Sequence, residues 1–547
     1  MTSDEFDVVV VGSGAAGMTA ALAAHRHGLR VVVVEKAATF GGSTARSGGG
    51  IWVPNNEVLR KAGLRDTPER AAAYLAGIVG DTVAPPRLAA LLRHGPDMVA
   101  LVRAATPLDF RWVRGYSDYY PEADGGMPLG RTIEPRPLDG NILGPELANL
   151  NPPYLAAPVN LPITAAHYRW LNLIARHPRG TVSAALVGGR GTIARLRGQR
   201  LLTMGQALVA GLRAGLLTAD VPVRLRSPLV DLLVDGDRVV GVVVGDGVSI
   251  RARLGVVLAA GGFEHNEQLR KQYQREPIGT QWTVGAKENT GDAILAGEKL
   301  GAALDLMDDA WWGPSIPLTG GPYFCLSERT LPGCLMVDGR GERFGNEAAP
   351  YVDAVHAMYG PGDGPAVHLP TWLIADQRYR DRYVFAGLSP RRPFPGRWYK
   401  AGAVVRADTL AELASTVGLP ALESTVERFN GFARTGNDED FHRGDSVYDH
   451  YYGDPRTKPN PSLAPLVKPP FYAVKMVPGD LGTKGGLLTD EQARVLTTDG
   501  RVIPGLYAAG NTAAAVMGHT YAGAGATIGP AMTFGYIAAL DIAGGNR

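Results

Sequence analysis

Residues 7–11 open on Asp7 and continue as a short apolar run of four β-branched valines. A run of that kind predicts a strand buried on both faces of a parallel sheet. It gives way to Gly12-Ser13-Gly14-Ala15-Ala16-Gly17 and then to an alanine-rich stretch, 18–27, with good helix propensity. A second β-branched run, 30–34, ends in Glu35. Residues 221–225, 230–234 and 239–244 predict short strands, the last two joined by the hairpin signal Asp235-Gly236-Asp237. Residues 256–260 predict another buried strand, running out into Gly261-Gly262. Towards the other end, 505–508 predict a strand with a glycine exit at Gly510. Gly529-Pro530-Ala531 then opens an apolar helix with its proline suited to a first turn. Between 310 and 482 the pattern is richer in proline and tryptophan and predicts less regular structure.

Strand, glycine turn, helix, strand and acid together make the G-x-G-x-x-G fingerprint of a Rossmann-type nucleotide site. Gly12 permits the tight turn, Gly14 lets the backbone approach a pyrophosphate, and Gly17 lets helix and strand pack closely. The helix N-terminus behind Ser13, Ala15 and Ala16 offers N–H groups and a positive dipole end to phosphates. Glu35, 23 residues after Gly12, is spaced to accept from a ribose hydroxyl, with Lys36 beside it. The fingerprint alone does not separate NAD from FAD. The stretch that follows, with Gly42, Ser43, Thr44, Ser47, Gly48, Gly49 and Gly50, suits backbone lying flat against an extended cofactor. The start of the late apolar helix suits negative charge on a reduced isoalloxazine. FAD is therefore expected, held non-covalently, because no histidine lies between Thr39 and Gly50 to bond it.

Composition removes several classes. The chain has 547 residues, 45% of them hydrophobic and 20% charged, with a net charge of +2. Nothing in that balance calls for nucleic acid. At about 150 residues per domain the length suggests three or four domains, although two suit a large α/β enzyme equally. The two cysteines, Cys325 and Cys334, supply no disulfide framework or metal pattern and read as small buried hydrophobes. With no apolar run approaching about 18 residues and an acidic rather than signal-like start, a cytoplasmic enzyme is expected.

Across nearly its whole length the chain resembles the fumarate reductase/3-ketosteroid dehydrogenase group of flavoproteins, and within it the 3-ketosteroid Δ1-dehydrogenases. The resemblance is carried by EFDVVVVGSGAAG, GGSTARSGGGIW, GYSDYYPE, AAGGFEHN, NTGDAI, RFGNEAAPY, DEDFHRG, PGDLGTKGGL, GLYAAGN and GHTYAGAGATIGPAMTFGY. It implies an α/β fold in which a Rossmann-type FAD-binding domain is built from both chain ends, 1–309 and 483–547. An α+β catalytic domain, 310–482, is inserted between them. It also implies that Gly261, Gly262, Asn289, Gly291, Asp292, Gly510, Asn511, Gly525, Thr527 and Ile528 join the earlier residues around FAD.

Desaturating C1–C2 beside a 3-keto group needs a polarised carbonyl, a base for the C2 proton and a hydride acceptor for C1. The flavin is the acceptor. The resemblance implies Tyr521 and the Gly525 N–H as the carbonyl's donors, Tyr351 as the base, and Tyr119 as its hydrogen-bonding partner. Ala522 and Ala524 stand where the family's usual segment has prolines. An ordinary tyrosine has a pKa near about 10, which a donor to its oxygen lowers and burial raises. Tyr120, adjacent to Tyr119, competes for the partner role on sequence alone. His519 is expected in a satisfied polar contact, and His265 and His442 match no catalytic role.

Residues 141–200 hold seven arginines and a single acid, Glu146, interleaved with Tyr154, Leu161, Ile163, Tyr168 and Trp170. Such a mixture suits a peripheral membrane contact that delivers a poorly soluble steroid, and equally a solvated basic face. A dicarboxylate reductase is the first rival, but no arginine occurs from Val502 through Asn546 to clamp a carboxylate. A 3-ketosteroid Δ4-(5α)-dehydrogenase and a non-catalytic steroid-binding flavoprotein are the others. The expected electron acceptor is a quinone or another diffusible molecule, since neither an NAD site nor an iron–sulfur cysteine cluster is visible.

Overall fold

The computed structural model describes residues 4–155, 161–362 and 364–545, so 156–160 of the 141–200 segment lie outside the described residues. The first apolar run becomes β1 (Asp4–Val11), followed by α1 (Ala15–Arg26) and β2 (Val31–Val34). Val9 and Val32 face each other in parallel register, and both are fully buried. The helix begins three residues before the predicted 18, because helical hydrogen bonding starts directly at the glycine turn, with Met18 N–H donating to Gly14 O. A Cβ on Gly17 would stand 2.0 Å from Gly12 O, so the approach of α1 to the turn requires glycine there.

The predicted strand at 221–225 shrinks to β3 (Val223–Arg224). Pro222 lacks an N–H, and Arg226 at φ 55° turns the chain away. β4 (Leu229–Asp235) and β5 (Arg238–Val244) form the expected hairpin. β6 (Val248–Leu258) starts eight residues before the predicted 256. Its first half alternates exposed and buried positions while pairing antiparallel with β5, and Ser249, Arg251 and Arg253 hide it from an apolar-run criterion.

Among the described residues, β1 lies between β2 and β6 in an eight-stranded sheet, with β3 beyond β2. β13 (Arg494–Leu496) and β14 (Val502–Ala508) complete it, with β14 parallel to β6. Strands from both ends of the chain therefore share one sheet.

The stretch 310–482 is regular, contrary to expectation. It holds a six-stranded sheet of β7 (Ala310–Leu318), β8 (Gly321–Phe324), β9 (Cys334–Val337), β10 (Thr371–Asp376), β11 (Val404–Ala407) and β12 (Phe471–Thr483). Its prolines disguise it. Pro314 pairs with Pro478, and Pro317 with Pro322, so residues that cannot donate to a ladder face each other rather than orphaning a partner.

Five helices matter for the site: α2 (Gly42–Arg46), α3 (Ala165–Leu171), α4 (Pro178–Leu196), α5 (Met204–Thr218) and α6 (Tyr351–Tyr359). The apolar helix at the end is α7 (Ile528–Gly544), opening near Gly529-Pro530 as predicted. It packs on α1 so closely that a Cβ on Gly535 would stand 2.4 Å from Ala16 O.

Candidate active site

A cavity of about 970 Å³ joins the glycine turn after β1 to tyrosines from both sheets' surroundings. Gly12, Ser13, Gly14, Ala15, Ala16, Glu35 and Lys36 line its nucleotide part. Gly42, Ser43, Thr44, Ser47, Gly48, Gly49 and Gly50 line it along α2 and the loop after it, and Gly261, Asn289, Asp292, Gly510, Asn511, Gly525, Thr527 and Ile528 line it from later segments. Tyr119, Tyr351 and Tyr521 line it as well. Three expected residues do not. Gly17 is used up in packing, Gly262 lies against the Thr483 side chain, and Gly291 is the left-handed N-cap of the helix Asp292–Glu298. These are places where a backbone must pass close to protein rather than to a ligand.

The residues present fit an extended dinucleotide. α1 and α7 both begin at the cavity, with Ala15, Ala16, Ile528 and Ala531 in its wall. Neither helix has a side-chain cap or an acid in its first turn, which leaves its positive end for an anion. Glu35 Oε2 accepts from Ser13 N–H at 3.0 Å and Ser13 Oγ at 2.5 Å, which fixes the carboxylate at the cavity edge. Lys36 Nζ bonds Thr290 Oγ1 at 2.6 Å and Asp292 at 2.7 Å, linking the β2 end to a segment 254 residues away. Asn289 Nδ2 donates to Ser43 Oγ at 3.0 Å and to Glu264 Oε1 at 2.6 Å. Burial, with Asp480 nearby, pushes the Glu264 carboxyl up to about 7.

The tyrosines meet because three rigid segments converge. The Tyr119 loop is anchored by its neighbour Asp118, which accepts from Trp52 Nε1 at 2.9 Å and Met127 N–H at 3.1 Å and pairs with Arg131. Tyr119 N–H donates to Ala522 O at 3.1 Å, tying this loop to the Tyr521 segment. Tyr351 is the first residue of α6, behind Pro350. Its hydroxyl receives a hydrogen bond from Tyr119 Oη at 3.2 Å. The rings of Tyr351 and Tyr119 each approach Tyr521 with centroids 5.2 Å apart. Tyr120, the competing candidate, instead donates to Asp353 at 2.9 Å.

Tyr521 Oη shares a hydrogen bond of 2.8 Å with Thr527 Oγ1, and the N–H groups of Thr527 and Gly525 also approach its oxygen. Gly525 has φ 93°, and a Cβ there would stand 2.4 Å from the Gly50 backbone, so only glycine brings its N–H to this point. Burial raises all three hydroxyls, Tyr351 and Tyr119 well above the ordinary tyrosine range. For Tyr351 the donor from Tyr119 acts in the opposite direction and is outweighed.

Sequence reasoning missed several wall residues. Tyr116 Oη lies 3.3 Å from Tyr119 Oη and extends the hydroxyl chain. Phe324, at the end of β8, meets Tyr351 with ring centroids 5.3 Å apart. Tyr168, Leu161 and Ile163, noted only as surface candidates, also line the cavity, as do Tyr323 and Tyr452. The one available signal was the clustering of tyrosines in GYSDYY and YDHYYGD. His519 Nδ1 does find a polar partner, Asp309 Oδ2 at 3.1 Å. His265 Nε2 lies 3.4 Å from Gly285 O, and His442 is exposed beside Asp445. Both cysteines are buried. Among the described residues no group of histidine, cysteine or acidic side chains could hold a metal, and no helix is long and apolar enough to cross a membrane.

A family model described as "FAD binding domain" matches residues 7–528. A 3-oxosteroid 1-dehydrogenase of Mycobacterium tuberculosis is 59% identical over 99% of this chain and 99% of its own. A 4-oxocyclohexanecarboxylate 2-dehydrogenase of Sinomonas cyclohexanicum is 37% identical over 98% of this chain and 93% of its own. The solved 3-ketosteroid Δ1-dehydrogenase of Sterolibacterium denitrificans in complex with 1,4-androstadiene-3,17-dione superposes with a TM-score of 0.93. It is 43% identical and the match covers 99% of this chain and 100% of that one. Glycine-lined nucleotide cavity, tyrosine cluster and these likenesses agree: the chain belongs to the FAD-binding family of 3-oxosteroid 1-dehydrogenases.

Proposed function

We propose that the protein introduces a C1–C2 double bond into 3-ketosteroids, with the tyrosine cluster as its chemical centre. The observation that carries this reading is the meeting of the Tyr119, Tyr351 and Tyr521 hydroxyls with the Gly525 N–H at one cavity that also reaches the nucleotide fingerprint. Bound FAD supplies the acceptor for the C1 hydride. Tyr521 Oη and Gly525 N–H donate to the 3-keto oxygen and favour charge developing there, each donor contributing about 3–4 kcal/mol in a dry site. As the tyrosinate, Tyr351 Oη takes the C2 proton; the hydrogen bond donated by Tyr119 Oη, itself beside Tyr116 Oη, favours that ionised form, and the proton leaves along the same hydroxyl chain when the tyrosinate is regenerated. The cofactor groups are Gly12 to Ala16, Glu35, Lys36, the 42–50 segment, Gly261, Asn289, Asp292, Gly510, Asn511, Gly525, Thr527 and Ile528. The domain partition we assign is 1–309 with 483–547 around 310–482. A quinone or another diffusible acceptor reoxidises the enzyme.

Segment 141–200 carries a second proposal, contact with an anionic lipid surface. Val182, Leu186, Ile193 and Leu196 of α4 are 56%, 63%, 52% and 83% exposed and recur along one face. Arg179, Arg190 and Arg197 punctuate the same helix and its end. Gly191 and Ala194, from the same helix, line the cavity, so a bilayer on the outer face would lie close to the substrate's space. Flotation with anionic vesicles is the test. Leu186→Asp with Leu196→Asp should abolish binding, whereas unchanged flotation, or concentration-dependent self-association without lipid, would refute it.

For the main reading, the protein is incubated with androst-4-ene-3,17-dione and an artificial electron acceptor. A product lighter by two hydrogens, with its new double bond at C1–C2, is expected. Desaturation at another position, or none, would refute it.

A further inference from the structure

A buried ion pair that the proposed chemistry does not touch lies beside Tyr521. Lys484 is fully buried at the end of β12, and its Nζ is 3.0 Å from Asp309 Oδ2. Asp309, itself buried, also accepts from Trp312 Nε1 at 2.6 Å and contacts His356 Nε2 at 3.0 Å and His519 Nδ1 at 3.1 Å. Isolated inside the protein, either charge would be costly, so the pair is a built feature rather than a surface accident.

Its contacts lead to Tyr521 by two routes. Lys484 Nζ donates to Thr520 O at 3.2 Å, and Asp309 holds His519, so the two residues just before Tyr521 are both fastened. Lys484 Nζ also sits 5.1 Å over the Trp311 ring, and that ring meets Tyr521 edge-on at 4.9 Å. Trp311 Nε1 donates to Asn511 Oδ1 at 3.1 Å, on the wall of the cofactor cavity. The Tyr521 segment needs such fastening. Gly518, Gly523 and Gly525 flank the tyrosine and leave its backbone little stiffness of its own.

We propose that Lys484 and Asp309 are positioning residues for Tyr521: their ion pair sets the direction in which its hydroxyl is offered to the substrate oxygen. The inference rests on the proposed carbonyl-polarising role of Tyr521. It adds a requirement that the tyrosine alone cannot meet, since a displacement of about 1 Å at a donor can cost about a hundredfold in rate.

The test uses the FAD-loaded enzyme and two ligands that are not turned over. A steroid with a phenolic A ring presents a flat, electron-rich oxygen where the 3-oxygen would lie, and its 3-deoxy counterpart fills the same space without it. In Lys484→Met the phenolic steroid should bind about ten- to a hundredfold more weakly while the 3-deoxy steroid binds as in wild type. kcat should fall by a similar factor with KM nearly unchanged, and Lys484→Arg should recover part of both. Asp309→Asn, which keeps the shape of the buried side chain, decides the question in the same way if Lys484→Met does not fold. Unchanged phenolic binding and kcat, or equal weakening of both ligands, would overturn the positioning role. Failure of the wild-type enzyme to discriminate the two ligands, or to desaturate a 3-ketosteroid, would instead overturn the function assigned to Tyr521.

Discussion

Tyr119 donates a hydrogen bond to the Tyr351 hydroxyl across 3.2 Å, joining a loop in the N-terminal part of the chain to the first residue of α6. The two residues are 232 positions apart in the chain, and both are buried.

Removing the Tyr351 hydroxyl should lower kcat by about 10²–10⁴-fold, the usual weight of a positioned base. Tyr351→Phe keeps the ring that packs against Phe324 and Tyr521. Flavin content and steroid affinity should stay close to wild type. Tyr119→Phe should cost less, because Tyr351 remains in place and loses only its donor. Rapid-mixing measurement of the reductive half-reaction separates the two. An equal loss in both variants would argue against the order assigned to the pair.

The pH dependence follows from burial. As the proposed base Tyr351 must shed its proton, and burial holds its pKa well above the ordinary tyrosine value, with Tyr119 offsetting only part of that rise. Log kcat/KM should climb from about pH 6 to about pH 9 without reaching a plateau. In Tyr351→Phe the slope should vanish. A plateau at neutral pH in the wild-type enzyme would assign the base to another group.

Much of the sheet around the glycine turn was legible because its constraints are local. A turn that must pass 2.0 Å from a would-be Cβ admits glycine alone, and flanking valine runs pair in register as their patterns require. The six-stranded sheet was illegible for an equally physical reason: Pro314 and Pro478 interrupt β7 and β12 in sequence, yet face each other in the sheet. The 141–200 segment showed its composition but not its direction. Tyr168 and Val182 look alike in a sequence of aromatic, aliphatic and arginine residues, whereas one lines the cavity and the other faces out. Nothing in the sequence joined Lys484 to Asp309, which lie 175 residues apart.

Glu264 should make stability depend on pH. Its carboxyl is raised from 4.5 to about 7 by burial, and its Oε2 has no hydrogen-bond partner. A carboxyl raised in the fold contributes stability that is full below its unfolded pKa and lost as pH rises through the folded one. The loss between about pH 5 and about pH 8 amounts to about 3 kcal/mol at most. Glu264→Gln, neutral throughout, should therefore narrow the difference in Tm between those two pH values. Thermal melts of the FAD-loaded proteins at both pH values check this. An unchanged difference would mean that Glu264 ionises freely in the fold.

The most direct measurement of the central claim is anaerobic addition of androst-4-ene-3,17-dione to the FAD-loaded protein, wild type beside Tyr351→Phe, following the visible flavin band and the steroid together. Wild type should bleach as one equivalent of the 1,4-diene forms, and Tyr351→Phe should stay yellow with its flavin still bound. A wild-type enzyme that stays yellow with this steroid, or a Tyr351→Phe variant that bleaches as fast, would contradict the assignment of Tyr351 as the base of a steroid C1–C2 desaturation.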